Sequence, residues 1–162
     1  MIPPRQPTAP LPISSSNSDW QGMLEDHSRH PHNGNAHFLV WHHDFILKFS
    51  ALRNNLPKAQ QPNPNTIAAW PNVPVEITTT PSWQQFAQLE SRLDTNIESF
   101  GSIEGLANSM IRMHDYLHFA TAIAYGDPNV AHTDTAPWSP LFWQLHGLID
   151  RWYTEATNIG LR

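Results

Sequence analysis

The sequence predicts an all-α protein, a four-helix bundle joined by long irregular loops. Five segments carry apolar residues at three- and four-residue steps, as one face of a helix requires. Helix-capping patterns precede three of these segments, and no segment of consequence alternates apolar and polar residues as a strand does. The 162 residues fit one domain, and the 40% of hydrophobic residues suffice for its core.

The first two predicted helices lie in the N-terminal third of the chain. The first begins at Ser18, because Ser18 and Gln21 have the spacing of a capping box. Its buried stripe is predicted to contain Trp20, Met23, Leu24 and His27. The second spans about residues 38–52, with a stripe formed by Phe38, His42, Phe45, Phe49 and Leu52.

Three further helices are predicted in the remainder of the chain. The third begins at Ser82, with a stripe formed by Phe86, Leu89, Leu93 and Ile97. The fourth spans about residues 104–125, with a stripe formed by Leu106, Met110, Met113, Leu117, Ala120 and Ala124. Ser139 is the predicted N-cap of the fifth, and Pro140 occupies its first position. Its stripe contains Phe142, His146, Ile149 and Tyr153.

Proline marks the irregular parts of the chain. Five of the fifteen prolines lie in the first twelve residues, followed by a serine-rich run, so residues 1–17 are predicted to form an N-terminal arm and residues 18–162 the domain. Six more prolines lie between residues 57 and 81 and predict a long irregular connection.

Composition excludes several classes of function. Nine Lys and Arg against fourteen Asp and Glu give a net charge of −5 without a basic cluster, which argues against nucleic-acid binding. The absence of cysteine excludes disulfides, thiolate metal sites and cysteine nucleophiles. No apolar run suggests a membrane span, and the first residues lack the apolar stretch of a secretory signal, so the cytoplasm is the default expectation. The core is modest, which leaves a homo-oligomer open.

The ten histidines carry the functional signal. His42 and His146 lie on apolar stripes, and His114 and His118 are four residues apart on one helical face. Each buried neutral imidazole needs a partner for both ring nitrogens, and a shared metal satisfies several at once. The Glu-x-x-His pairs of di-iron bundles and the zinc motif His-Glu-x-x-His are both absent. The chain has enough histidines for two groups of three, and such an all-imidazole ligand set favours a pair of copper ions.

Three segments resemble the copper-binding segments of tyrosinases. The run FLVWHHDFILKF at residues 38–49 is similar to the FLPWHR-type segment of their first copper site. MHDYLH at residues 113–118 resembles the HNxxH of the second site. SPLFWQLHGLIDRW at residues 139–152 resembles the signature DPxFWxHHxxxDRxW, and its Leu-His pair is closer still to haemocyanins. The chain is thereby identified as a member of the type-3 copper family, among short tyrosinases and polyphenol oxidases.

The resemblance implies a dinuclear copper site with three histidines for each of two copper ions. The second copper would be held by His114, His118 and His146. The first would be held by His27, His42 and a middle ligand, which family spacing puts at Asn33. His32 is one step away, and His30 and His37 are near. We assign His32, on the assumption of a one-residue insertion, whereas Asn33 at this position would weaken or abolish the first site.

Three acidic residues gain candidate roles from the resemblance. Asp115 follows the first ligand of the second site, where it is either a base for the incoming phenol or a solvent-facing residue. Glu104, ten residues before His114, resembles a family glutamate that holds a water near the coppers, and such a water could act as base. Asp150 either orients a copper ligand from behind or forms a salt bridge with Arg151.

The resemblance implies a copper oxidase that uses O2 to convert o-diphenols to o-quinones, with monophenols as an alternative substrate. Related activities are the oxidation of o-aminophenols or a biosynthetic step on a phenol. The non-catalytic alternatives are an oxygen-binding protein, as haemocyanins are, and a bundle that has lost a copper site. The expected partners are a phenolic small molecule, O2 and a copper-delivery protein. Access to the site is expected to depend on the connection at residues 57–81 or on a partner subunit.

Overall fold

The computed structural model describes residues 8–32 and 35–162, and within these ranges it is helical with no β-strand. It contains six α-helices in these ranges: α1 (Ser18–Arg29), α2 (Ala36–Asn55), α3 (Val75–Thr78), α4 (Ala87–Thr95), α5 (Ile103–Tyr125) and α6 (Pro140–Asn158). The predicted all-α class is confirmed. Among the described residues, no helix has the length and apolarity needed to cross a membrane.

Four of the helices, α1, α2, α5 and α6, form the bundle. Helix α2 packs against α5 and α6, these two pack against each other, and α1 packs against α2. The predicted apolar stripes face this interior, where Phe38, Met110 and Phe142 are fully buried. His42, His114 and His146 lie in the same interior, so the bundle core is partly made of imidazole rings.

Side-chain caps begin α1, α5 and α6, with one change from prediction. Asn17, not Ser18, is the N-cap of α1, because its side chain accepts the N–H of Trp20 at 2.9 Å. Ser139 caps α6 as predicted, with its Oγ 3.1 Å from the N–H of Leu141.

The third predicted helix is divided. Residues 81–85 form a 3₁₀ turn, and the α-helix begins only at Ala87. A three-residue period brings Trp83 and Phe86 to one side, and both are buried there. The apolar spacing was therefore compatible with either helix type, and the prediction of one continuous helix to Ile97 is wrong. Helix α4 ends at Thr95, and another 3₁₀ turn, Ile97–Phe100, precedes Gly101.

The described part of the predicted N-terminal arm lies along the domain. Leu11 and Ile13 are buried, and the N–H of Leu11 donates to the carbonyl of Trp138 at 2.8 Å. The backbone N–H of Ser14 donates to the side chain of Gln60 at 3.0 Å. Residues 8–17 are therefore packed on the domain, and residues 1–7 of the predicted arm lie outside the described residues.

The proline-rich connection is attached to α6 through Gln144. Its backbone carbonyl and its side-chain oxygen accept the two N–H groups of Trp70, at 3.0 and 2.7 Å. Its side-chain amide donates to the carbonyl of Thr66. Gly147 lies one turn further along α6, where an added Cβ would be 2.5 Å from the Cβ and 2.8 Å from the Cα of Ala69. Glycine is therefore needed for the connection to lie this close to the helix.

We predict that Gly147→Ala destabilises the fold. Alanine in place of glycine stabilises a helix by about 0.5–1 kcal/mol, because it loses less backbone entropy on folding. Overpacking of the new Cβ against the backbone of Ala69 costs about 1–3 kcal/mol. The net loss, about 1 kcal/mol, is measurable by urea denaturation of the metal-free protein. Gly22→Ala is the matched control, because an added Cβ there meets nothing within 4 Å and should stabilise α1. Equal stabilisation by both changes would contradict the close approach.

Candidate metal centre

The side chains of His114, His118 and His146 converge between α5 and α6. The Nε2 atom of His118 is 3.0 Å from the Nε2 atoms of both His114 and His146, which are 3.4 Å from each other. Nitrogens that each lie about 2.0–2.1 Å from one ion are separated by about 3 Å. These three nitrogens are therefore spaced as the ligands of a single ion.

Backbone carbonyls determine which ring nitrogen is free. Three histidines donate an Nδ1–H to a carbonyl: His27 to Thr133 at 2.6 Å, His42 to Phe38 at 2.8 Å and His118 to Val130 at 2.6 Å. Since a carbonyl oxygen can only accept, each Nδ1 carries the hydrogen. In the neutral ring, Nε2 is then left with a free lone pair, as a metal ligand requires.

His27, His32 and His42 form a second group, contributed by α1, by the segment after it and by α2. Their ligand nitrogens lie within 4.8 Å of one another. The Nε2 atoms of His27 and His42 are buried and have no hydrogen-bond partner. A buried polar atom without a partner costs about 1–3 kcal/mol, and a shared ion removes that cost for both atoms.

The two groups of histidines are adjacent. The ligand atoms of His42, His114 and His146 also lie within 4.8 Å of one another. The rings of His42 and His146 are stacked, with their centroids 4.5 Å apart and their planes 7° apart. The histidines of both groups therefore lie in one cluster, with His42 near the members of each.

Burial favours the neutral form of these imidazoles. Desolvation lowers the pKa of His27 from 6.5 to about 4 and lowers the pKa of His42, His118 and His146 well below 6.5. It also lowers the pKa of the half-buried His32. Protons then compete weakly for the nitrogens that a metal would use. An all-imidazole set suits copper, so the residues present fit the ion that the sequence predicts.

The structure brings His32 to His27 and His42. Neighbouring His30 is buried with its ring flat against Trp41, the centroids 3.9 Å apart, and His37 is exposed. Asn33, the residue at the family's spacing, lies outside the described residues.

Asp115 lies beside the second triad. Its Oδ1 accepts a hydrogen bond from the Nδ1 of His114 at 3.0 Å, while 64% of its side chain remains exposed. The carboxylate therefore orients a predicted ligand and also faces solvent.

The structure does not bring Glu104 to the histidines. It is exposed in the first turn of α5. Ten residues of helix separate it from His114, a rise of about 15 Å. Glu104 is also absent from the lining of the cavity beside the histidines. Among the described residues, no glutamate lines this cavity in place of the family glutamate that Glu104 resembles.

Asp150 binds a histidine other than the predicted ligands. Its Oδ1 accepts a hydrogen bond from the Nδ1 of His43 at 2.7 Å. Arg151, the alternative partner, instead donates to Asp94 at 3.2 Å. Asp150 thus connects α6 to α2 at His43, the residue next to His42.

A cavity of about 220 Å³ opens beside the histidines. It is lined by predicted ligands, by Asp115 and by the segment between α5 and α6: His27, His32, His114, Asp115, His118, Val130, Ala131, His132, Thr133 and Ala136. The connection at residues 57–81, expected to shape access, contributes nothing to this lining.

Sequence reasoning missed the role of the segment between α5 and α6. Its 3₁₀ turn, Pro128–Ala131, supplies the carbonyl that orients His118, and Thr133 supplies the carbonyl that orients His27. Backbone carbonyls have no side-chain signature. The only signal was the Gly126-Asp127-Pro128 run, which marks a loop without showing what the loop contacts.

We predict that Asp115→Ala lowers the copper affinity of the second triad about tenfold, because the carboxylate holds the ring of His114. Asp115→Asn should cost less, since an amide oxygen can still accept the Nδ1–H. Competition with a copper chelator measures both. Glu98→Gln, at an exposed carboxylate outside the cavity lining, is the control and should leave the affinity unchanged. Wild-type affinity in Asp115→Ala would contradict the orienting role.

The contact between Asp150 and His43 predicts a change in stability without a change in metal binding. Asp150→Ala should lower the free energy of unfolding by about 1 kcal/mol, because two partly buried polar groups lose their hydrogen bond. Chemical denaturation measures the loss, and a double-mutant cycle with His43→Ala isolates the pair. Copper per chain should stay the same. A loss of one copper would instead make Asp150 a group that positions a ligand.

The comparisons with known proteins support one family. The chain matches the common central domain of tyrosinase over residues 48–156, about two thirds of its length. No curated protein and no solved structure matches it. The matched region contains His114, His118 and His146, whereas His27, His32 and His42 precede it. The converging imidazoles of α5 and α6 thus lie inside the matched region, and the chain belongs to the tyrosinase family of type-3 copper proteins.

Proposed function

We propose that this protein is a copper-dependent oxidase that converts o-diphenols to o-quinones with O2. The observation that carries the proposal is the triangle of Nε2 atoms of His114, His118 and His146 next to an open cavity. Membership of the tyrosinase family supports copper as the ion. The group of His27, His32 and His42 supports a second copper.

Copper, when bound, supplies the electron transfer between the phenol and O2. Each o-diphenol loses two electrons and two protons, so two o-diphenols reduce one O2 to two molecules of water. The six imidazoles would hold the metal from the four bundle helices α1, α2, α5 and α6 and from the segment after α1, which restricts movement of the ligands. The carbonyls of Phe38, Val130 and Thr133 each accept an Nδ1–H from a histidine ring, which leaves the Nε2 on the opposite side of that ring free for the metal.

The cavity favours a small aromatic substrate. Its volume of about 220 Å³ is below the about 300–1,000 Å³ typical of sites for drug-sized ligands. Val130, Ala131 and Ala136 give it an apolar wall suited to one aromatic ring. A single-ring diphenol is therefore the best candidate substrate.

Asp115 is the best candidate for the group that accepts the phenolic proton. It lies in the cavity lining, and a carboxylate retains acceptor sites besides the one used by the Nδ1–H of His114. Glu104, the other candidate, is too far along α5 to serve, so we assign it no role in the reaction.

The opening of the cavity favours an oxidase over a reversible oxygen carrier. A carrier needs its metal centre shielded from phenols, whereas this cavity reaches His27, His32, His114 and His118 from the surface. A small phenol can then reach the metal ligands.

The test is metal analysis followed by a substrate assay. We expect the metal-free protein to take up two copper ions per chain, and the loaded protein to oxidise catechol with measurable O2 uptake. His118→Ala should bind one copper fewer per chain, and its activity should fall at least about 100-fold. His32→Ala should lose the copper of the first site. His43→Gln, a histidine outside both triads, is the control and should keep both ions.

Each failure has a distinct meaning. Two coppers without catechol oxidation would leave an oxygen-binding protein, and assays with a monophenol and an o-aminophenol would test the related activities. Uptake of only one copper ion per chain would indicate that the first site is lost. Unchanged copper in His32→Ala would contradict the ligand assignment. Uptake only from a partner protein would indicate a dedicated delivery route.

A further inference from the structure

Two histidines next to the first triad, His30 and His37, have no role in the proposed centre. His30 is the C-terminal cap of α1 and is 7% exposed. Its ring lies flat on Trp41, with the planes 8° apart. Its Nε2 is buried and has no hydrogen-bond partner. A core histidine kept only for packing on Trp41 would leave this nitrogen unexplained.

The rings of the histidines in this region form a continuous series. The centroid of His37 is 5.4 Å from that of His30, and His30 is 5.2 Å from His32. His32 is in turn 5.1 Å from His27 and 5.3 Å from His42. The series begins at an exposed side chain, His37, and ends at the buried members of the first triad.

The spacing within the series is close to that of rings whose nitrogens converge. In the group of His114, His118 and His146, the ring centroids are 4.6, 5.1 and 5.2 Å apart. The step from His30 to His32, 5.2 Å, equals the largest of these, and the step from His37 to His30, 5.4 Å, is only slightly longer. Neighbouring rings of the series can therefore share one ion after small rotations about their side-chain torsions.

We propose that His37 and His30 form a copper-loading site that passes the ion to His32 of the first triad. The proposal rests on the metal centre proposed above. The ion first binds one nitrogen of each imidazole, with solvent completing its coordination. An imidazole nitrogen of His32 then replaces that of His37, and triad nitrogens replace that of His30. Each replacement forms one metal–nitrogen bond as another breaks, and the oxidation state of the ion does not change.

The rival route runs through the cavity. His132 is exposed in the cavity lining, and the lining contains members of both triads. If copper arrives there, His132 and not His37 would be the first imidazole that it meets. Replacing His37 or His132 therefore distinguishes the two routes.

Trp41 provides the measurement. Its ring lies 3.9 Å from the ring of His30 and 5.0 and 6.0 Å from those of His42 and His27, so a Cu(II) ion at His30 should quench its fluorescence first, and an ion in the first triad should quench it further. We would mix the metal-free protein with buffered Cu(II) in a stopped-flow instrument and follow tryptophan fluorescence. Trp41→Phe identifies the part of the signal that comes from this residue. Copper per chain is measured after equilibration.

We expect wild-type protein to show a fast quench of Trp41 followed by a slower second phase of quenching as the first triad fills. His37→Gln should slow copper uptake by the first triad at least about tenfold and leave the final copper content unchanged. The change is at an exposed side chain, so the fold should tolerate it. His132→Gln, the matched control, should load at the wild-type rate.

Three results would overturn the proposal: loading of His37→Gln at the wild-type rate, slower loading in His132→Gln alone, or a lower final copper content in His37→Gln, which would make His37 a ligand of the centre itself. Two coppers loaded through His37 without catechol oxidation would leave the loading site intact and reject the proposed function. No copper uptake by wild-type protein would reject both.

Discussion

The hydrogen bonds from histidine Nδ1 atoms to backbone carbonyls are the interactions on which the site depends. They put the ring hydrogen of His27, His42 and His118 on the side away from the centre, so that Nε2 is the free nitrogen. In the bundle interior these nitrogens have few polar partners other than one another. The core of the protein is therefore organised around imidazoles that a metal would satisfy together.

This constraint explains the segment between α5 and α6. Gly126 ends α5 with a left-handed φ of 65°, and Asp127 then accepts hydrogen bonds from the N–H of Asn129 and the Oγ of Ser139. Asp127 is buried, so these bonds determine the course of the loop up to the N-cap of α6. The carbonyls of Val130 and Thr133 are positioned as a result, and Thr133 connects the loop to α1 through His27.

The errors in the sequence prediction have physical causes. Apolar residues three apart suit both a 3₁₀ turn and an α-helix, so the division before Ala87 was not visible in the pattern. Glu104 was placed by its distance along the chain, yet ten residues of α-helix carry it to the exposed end of α5. For Asp150 the sequence offered either a copper ligand to orient or a salt bridge with Arg151, but adjacent helix residues point apart, and the structure pairs Asp150 with His43 on α2.

The sequence by itself determined the helical class, the main helices and the histidines on their inner faces, because helical periodicity is a local property. It also indicated the family through the segments that contain His42, His114, His118 and His146. Only the tertiary structure decided that His32 lies with His27 and His42, that a loop carbonyl orients each of His27 and His118, and that His43 pairs with Asp150. These contacts join residues that are far apart in the chain or that lie in irregular segments. The periodicity of the sequence therefore does not predict them.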